Sequence, residues 1–314
     1  MSSLATIRAA NTDLQRRCSS ATAIFTGATH GIGLATLQSF ITHIPNPTAI
    51  IAGRNRHAFE PEIAKLRQLN PNAKINFLEA DLTLIHSIDF LADRLVSTLS
   101  DQSVDFLCMS QGYAPLSGRE YTTEGLDKAI ALFYHGRLRL LSNLLNSKIL
   151  KSSATVLNIL AGGKEGQIRF DDLGLERKGN YSIMNLRTQV TCMLTLSHDH
   201  LSTSHPELTL LHVYPGTVDT GLLARGITTP LLWAVLWVLE RCLVLFKRAM
   251  SAEESGERML ELGFREREGG SWSLLETGEE GESEWLERYR GEGEKAQRVW
   301  EWNEGVWGKA VGAI

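Results

Sequence analysis

The sequence predicts a doubly wound α/β fold, a parallel sheet with helices on both faces, followed by a C-terminal extension. Three observations carry this. From Ala21 onward, short apolar runs alternate with longer amphipathic stretches, which is the pattern of successive βαβ units. A glycine-rich turn stands directly between the first apolar run and the first amphipathic stretch, where a tight strand-to-helix reversal is needed. The chain has 314 residues, 43% of them hydrophobic and 22% charged, enough to bury a large core at ordinary globular composition.

Taken in order, residues 1–20 are polar and charged where a secretory signal needs an unbroken apolar stretch, so they read as a leader or first helix ahead of the fold. The core spans 21–225. Its strands are expected at Ala21–Thr26, Ala49–Ala52, Ile75–Glu79, Val104–Met109, Thr155–Leu160 and Leu208–Val213, and each gap between them is long enough for a crossover helix. Helices are expected at Ile32–Thr42, Phe59–Leu69, Leu84–Leu99, Thr123–Ser147 and Tyr181–Leu201.

Residues 226–314 form the extension. Leu231–Phe246 is apolar and carries tryptophans, but Glu240-Arg241 interrupts it, and it falls short of the roughly 20 uncharged residues a membrane span requires. It reads as a lid helix whose tryptophans and leucines line an apolar cleft, with contact at a membrane surface as the alternative. Ser251–Leu262 reads as a helix, and the Gly- and Glu-rich stretch Gly269–Gly293 as surface loop with some helix.

Composition narrows the function. A formal charge of −4 gives no basic footprint for nucleic acid. The four cysteines, Cys18, Cys108, Cys192 and Cys242, are scattered with no CxxC pair, so neither a disulfide framework nor a zinc site is indicated and a reducing, cytoplasmic setting is expected. His198 and His200 are two apart on a helix and do not share a face; they read as a solvated helix end.

The most informative motif is the turn itself, Thr26-Gly27-Ala28-Thr29-His30-Gly31-Ile32-Gly33. Its glycines let the backbone approach a pyrophosphate, whose charge then rests on the amides and positive dipole at a helix N-terminus. At the end of the second strand, Ala52-Gly53-Arg54-Asn55-Arg56 carries cations and no carboxylate. A carboxylate there would accept hydrogen bonds from a ribose 2′-hydroxyl and repel a 2′-phosphate, whereas Arg54 pairs with that phosphate, so NADP(H) is favoured over NAD(H).

The spacing TGxxxGxG resembles the short-chain dehydrogenase/reductase family, and the resemblance runs from about Ala21 to Thr220. It implies the Rossmann-type fold and further cofactor contacts: Asp81-Leu82 at the adenine, Gly112 as the last glycine of the family's NNAG turn, and Pro215, Gly216, Val218 and Thr220 of a PGxVxT segment on the nicotinamide side. The family reduces or oxidises with a tyrosine that exchanges a proton with the substrate oxygen, supported by a serine, a lysine and an asparagine. Here Tyr181 matches the tyrosine, while Asn185 stands at the lysine, where it keeps hydrogen bonds to ribose hydroxyls. Ala161 stands at the serine and Phe133 at the asparagine. An insertion, Lys164–Gly179, precedes Tyr181, and Lys164 is a candidate substitute cation.

An ammonium about 4 Å from the phenol would be worth about 4 kcal/mol. Without it Tyr181 is expected to stay protonated and to favour reduction over oxidation. The expected function is a reductase of a carbonyl or activated double bond in a lipophilic small molecule. Similarity to divergent fungal members of the family implies a role in secondary metabolism. The rivals are a binding partner that has lost hydride transfer and a non-redox isomerase or cyclase. Family members pair through their fourth and fifth helices, here 123–147 and 181–201, which allows a homodimer; Arg137 and Arg139 on the first argue against an uninterrupted apolar interface.

Overall fold

The computed structural model describes residues 2–100, 102–221 and 249–312. The chain opens on α1 (Leu4–Arg17), then alternates β1 (Ser20–Thr26), α2 (Gly31–His43), β2 (Asn46–Gly53), α3 (Arg56–Leu69), β3 (Lys74–Glu79), α4 (Ile85–Leu99) and β4 (Val104–Met109). A short α5 (Lys128–Ile130) runs through a π-helical turn, Ala131–His135, into α6 (Gly136–Asn146). After these come β5 (Leu150–Ile159), α7 (Ile183–Ser204), β6 (Thr209–Val213), β7 (Val218–Asp219), β8 (Met250–Ser251), α8 (Ala252–Phe264), β9 (Gly270–Leu274), α9 (Glu284–Gly291) and α10 (Glu294–Gly312).

Seven strands make one parallel sheet in the order β3-β2-β1-β4-β5-β6-β9. Buried strands read as continuous apolar runs because both faces are covered. In β1, Ala23 and Phe25 enter one core and Ile24 the other, and β2 repeats this with Ala49 and Ile51 against Ile50. The strand order reverses between β1 and β4, and an α/β sheet opens its binding crevice at such a point, outside the C-terminal strand ends.

Three features depart from the sequence reading. The Gly- and Glu-rich stretch contains β9, which pairs in parallel register with β6 from Thr209↔Gly270 to Val213↔Leu274. The run is only five residues long and two of them are serines, so its apolar signal is weak. Residues 294–312, unassigned from sequence, form α10, which buries Val299, Trp300, Trp307 and Ala310 at helical spacing. The helix expected from Thr123 begins only at Lys128, after a β-bridge between Tyr121 and Asp127.

Residues 1–20 contain α1, packed on α8 through Asn11, whose Nδ2 donates to the Glu257 carbonyl and carboxylate. Leu231–Phe246, with Cys242, lies outside the described residues. Among the described residues no helix is long and apolar enough to cross a membrane.

Candidate functional site

The glycine turn fits between two pieces of backbone. Gly27 has φ +72°, and a Cβ placed on it would lie 2.2 Å from the Gln111 amide nitrogen. On Gly33 a Cβ would lie 2.1 Å from Ser110 Oγ and 2.7 Å from the Gly27 carbonyl oxygen. Gly31 has φ +57°, and a Cβ on it would lie 3.2 Å from the Thr220 side chain. The turn is therefore walled by the end of β4 on one side and by the 215–220 segment on the other. Thr26 Oγ1 donates to Gln111 Oε1 at 2.6 Å, and the Ser110 amide donates to the Thr26 carbonyl at 3.0 Å.

Two observations bear on whether a dinucleotide fits here. The helices beginning at Leu4, Arg56, Ile183, Ala252 and Glu284 are each capped by a preceding Ser or Asn side chain, whereas α2, after His30, has no side-chain cap. A helix N-terminus of this kind can receive an anion. Gln111 is buried, and its Nε2 has no hydrogen-bond partner among the described residues; a buried donor of this kind calls for an acceptor. The residues fit the group.

The remaining expected cofactor residues converge on the same edge of the sheet. Thr29 Cγ2 is 3.1 Å from a Cβ built on Gly53, which ties the turn to the end of β2. Ile32, in the first turn of α2, is half-buried against the core. Arg54 follows β2, is exposed, and has no ion pair among the described residues, whereas Arg56 leans toward Glu60 at 3.8 Å. Asp81 follows β3, and its Oδ1 accepts from the Thr83 amide and hydroxyl at 2.9 and 2.7 Å. Leu82 is buried, its carbonyl 2.4 Å from a Cβ built on Gly136. A Cβ built on Gly112 would lie 3.2 Å from the Phe133 ring. Pro215 and Gly216 leave β6, and Val218 pairs with Met250 before Thr220 reaches Gly31.

The expected catalytic residues form a different picture. Ala161 is buried at the end of β5, and its amide donates to His212 Nε2 at 3.1 Å. Tyr181 precedes α7, with the Arg119 guanidinium 4.4 Å from its ring centroid. Arg119 in turn meets Asp127 at 3.2 Å and donates to the Gly174 and Leu175 carbonyls at 2.8 Å, pinning the 113–127 loop to the insertion. The Tyr181 hydroxyl is enclosed, beside the Asp127 carboxylate. Burial, reinforced by the Asp127 carboxylate and opposed by Arg119, pushes its pKa up to about 12.

The cation at this tyrosine is thus Arg119, which the sequence reading did not name. Lys164 is exposed and its Nζ lies 5.4 Å from the Tyr214 ring. Asn185 turns back to donate to the Asn180 carbonyl at 2.7 Å and lines a groove of about 520 Å³ with Gln189, Arg169 and Arg298.

Sequence reasoning also missed a buried polar network under the site. Arg137, placed from sequence on a helix surface, is fully buried. Its guanidinium donates to the Met109 carbonyl at 2.5 Å, the Gln111 carbonyl at 2.7 Å, the Ile159 carbonyl at 3.2 Å and Asn158 Oδ1 at 3.1 Å, joining the ends of β4 and β5. Burial lowers its pKa to about 9, which leaves it charged at neutral pH. Asn158 Nδ2 then donates to His198 Nε2 at 3.0 Å.

His198 is fully buried rather than solvated, because α10 covers α7 and stacks Trp300 on His200 at 5.2 Å. Since His212 Nε2 accepts from Ala161, its Nδ1 carries the proton and donates to Thr195 Oγ1 at 2.8 Å, and Thr195 donates to Glu165 at 2.7 Å. Ser273 of β9 also donates to Glu165, and accepts from the Gly163 amide at 2.6 Å. A lone Arg followed by Leu in an amphipathic helix offers no sequence signal for this. Its only trace is a charged residue on the apolar stripe.

A seven-stranded parallel sheet with a glycine turn at the β1–α2 junction defines an α/β protein of the Rossmann type. Scanned against protein-family models, the chain matches none. It is 35% identical to an oxidoreductase of Emericella nidulans over 260 residues, covering 83% of this chain and 76% of that protein. With a short-chain dehydrogenase/reductase of Stachybotrys chartarum it shares 30% over 237 residues, 70% of this chain and 66% of that one. The chain belongs to the short-chain dehydrogenase/reductase family, as a divergent member of fungal type.

Solved structures agree in fold. NADPH-bound carbonyl reductase from chicken fatty liver superposes with a TM-score of 0.57 at 20% identity, covering 82% of this chain and 97% of that one. An uncharacterised protein of Mycobacterium paratuberculosis gives 0.64 at 19%, covering 91% and 93%.

Proposed function

We propose that this oxidoreductase is an NADPH-dependent reductase acting on the carbonyl or activated double bond of a lipophilic small molecule. The observation that carries the cofactor choice is the end of β2, where Arg54 is exposed and without an ion pair among the described residues, and no carboxylate stands at 54–56. The uncapped start of α2 and the glycine cradle would hold the pyrophosphate, Asp81 and Leu82 the adenosine, and the 215–220 segment the nicotinamide side. Bound NADPH supplies a hydride and leaves as NADP⁺. The chain supplies the proton, from a phenol at the Tyr181 corner that remains neutral at working pH.

The substrate class follows from what surrounds that corner. Tyr121, Ile183 and Met184 are exposed at 63%, 49% and 64%; the Tyr121 ring lies 5.8 Å from the Arg119 guanidinium, and Ile183 and Met184 follow Tyr181 at the start of α7. Apolar side chains clustered beside a cleft suit a lipophilic ligand. The NADPH-bound carbonyl reductase among the fold relatives and the fungal oxidoreductase relatives support the same reading, and with them we propose a cytoplasmic role in secondary metabolism.

The test has two steps. NADPH is titrated while tryptophan fluorescence is followed, and its oxidation is then monitored with a panel of apolar ketones, quinones and enones. Binding and consumption are expected. Binding with no consumption across the panel would instead support a nucleotide-binding partner or a non-redox enzyme on this fold.

A further inference from the structure

We infer that Tyr113, not Tyr181, is the phenol that meets the substrate and delivers the proton, with Tyr181 acting behind it as a positioning residue. The inference rests on the reductase reading above and names the proton donor within it.

A donor to a substrate oxygen must present its hydroxyl to the cleft. The Tyr181 hydroxyl is enclosed in this structure and its ring lies beneath Arg119. Tyr113 is half-buried, and its hydroxyl is not among the enclosed atoms. Position favours it as well. Tyr113 follows Gly112 and stands two residues beyond Gln111, whose amide forms the wall of the glycine turn. Its ring is fixed by stacking on Phe133, with centroids 5.6 Å apart and planes inclined by 17°.

The Lys128 ammonium lies 5.9 Å from the Tyr113 ring but is paired with Glu120 at 2.9 Å, so its charge is largely spent there. Burial, with Glu120, Asp127 and Tyr181 nearby, pushes the Tyr113 phenol up to about 12. Such a phenol is an acid throughout the working range and a poor base. The replacement of the family's serine by Ala161 and of its lysine by Asn185 removes the groups that would have prepared Tyr181 for this role.

The chemistry balances. As a hydride from the reduced nicotinamide arrives on the carbonyl carbon, the C=O π pair moves to oxygen. Tyr113 O–H breaks, and its proton forms the alcohol O–H. The phenolate then recovers a proton from water in the cleft. Bound NADPH would supply the hydride, and with it the two electrons that the carbonyl gains.

Two measurements test the assignment. The first does not depend on turnover: the folded protein is treated with N-acetylimidazole and its tyrosines are mapped by mass spectrometry. Exposed Tyr121 serves as the positive control and fully buried Tyr134 as the negative one. Acetylation of Tyr113 with sparing of Tyr181 is expected; modification of Tyr181 in preference to Tyr113 overturns the inference. The second follows NADPH oxidation with 9,10-phenanthrenequinone as the probe. Tyr113→Phe should lower kcat by about 10²–10⁴-fold, the range of a positioned acid, with little change in the Kd for NADPH, while Tyr181→Phe should cost less than tenfold. If Tyr113→Phe turns over at the wild-type rate and Tyr181→Phe does not, the assignment is wrong and the reductase reading stands. If the wild type binds NADPH but consumes none with the quinone or the wider panel, the reductase reading falls and takes this assignment with it.

Discussion

Replacing Arg137 with methionine should destabilise the protein and loosen its nucleotide site together. The guanidinium feeds three main-chain carbonyls and Asn158, and charged hydrogen bonds of this kind are worth about 1.5–3 kcal/mol each. Against this stands the cost of burying the cation: a fall in pKa from 12.5 to about 9 corresponds to about 5 kcal/mol. The methionine variant escapes that cost but leaves four acceptors unpaired in a dry interior. Loss of one side of a buried charged network costs about 3–5 kcal/mol, which at about 2 °C per kcal/mol for a chain of this size lowers Tm by roughly 6–10 °C.

Because the Met109 and Gln111 carbonyls lie beside the glycine turn, the same change should weaken NADPH binding by about tenfold or more, an effect of about 1.4 kcal/mol. Differential scanning fluorimetry and fluorescence titration read the two effects. A Tm within about 2 °C of wild type together with unchanged affinity would show that Arg137 neither holds the strand ends nor shapes the turn.

Three further predictions follow from the same geometry. Gly33→Val should abolish nucleotide binding and also lower Tm, because its side chain meets Ser110 and the Gly27 carbonyl rather than open space; a titration with unaltered NADPH affinity in a folded variant would move the site elsewhere. Arg54→Ala should weaken NADPH about 10–100-fold and NADH hardly at all, since a charged hydrogen bond of about 1.5–3 kcal/mol is lost only with the 2′-phosphate; equal losses for both would reject its role. His135 and His198 are held neutral by burial, with pKa values of about 4 against 6.5 when free. The unfolded chain therefore binds more protons between these values, and stability is fully present above about 6.5 and declines as pH falls toward 4, by roughly 3 kcal/mol for each histidine. Urea unfolding from pH 7 to 4.5 should show this slope and His198→Gln should reduce it; a flat profile would contradict the buried neutral state.

Much of the fold was legible because its signals are local. The alternation of apolar runs with amphipathic stretches fixed six strands, since a sheet covered on both faces has few polar positions to blur the pattern. What escaped were β9 and α10. The first is five residues of mixed character in a Gly- and Glu-rich stretch. The second has a charged exposed side, and its apolar positions gain meaning only from the α7 surface beneath them.

The site divides in the same way. Sequence by itself singled out the glycine turn: Gly27 and Gly31 take positive φ and Gly33 allows a close approach, and such constraints are written one residue at a time. The family resemblance sets Ala161, Asn185 and Phe133 where serine, lysine and asparagine are expected. Only the tertiary structure decided what stands in their place. Arg119 reaches Tyr181 from a loop about sixty residues earlier, the Tyr181 hydroxyl is enclosed, and Arg137 is buried because the carbonyls of β4 and β5 converge on it. The physical reason is that a side chain's pKa, exposure and partners depend on distances between segments far apart in the chain, and no local pattern of residue types encodes them.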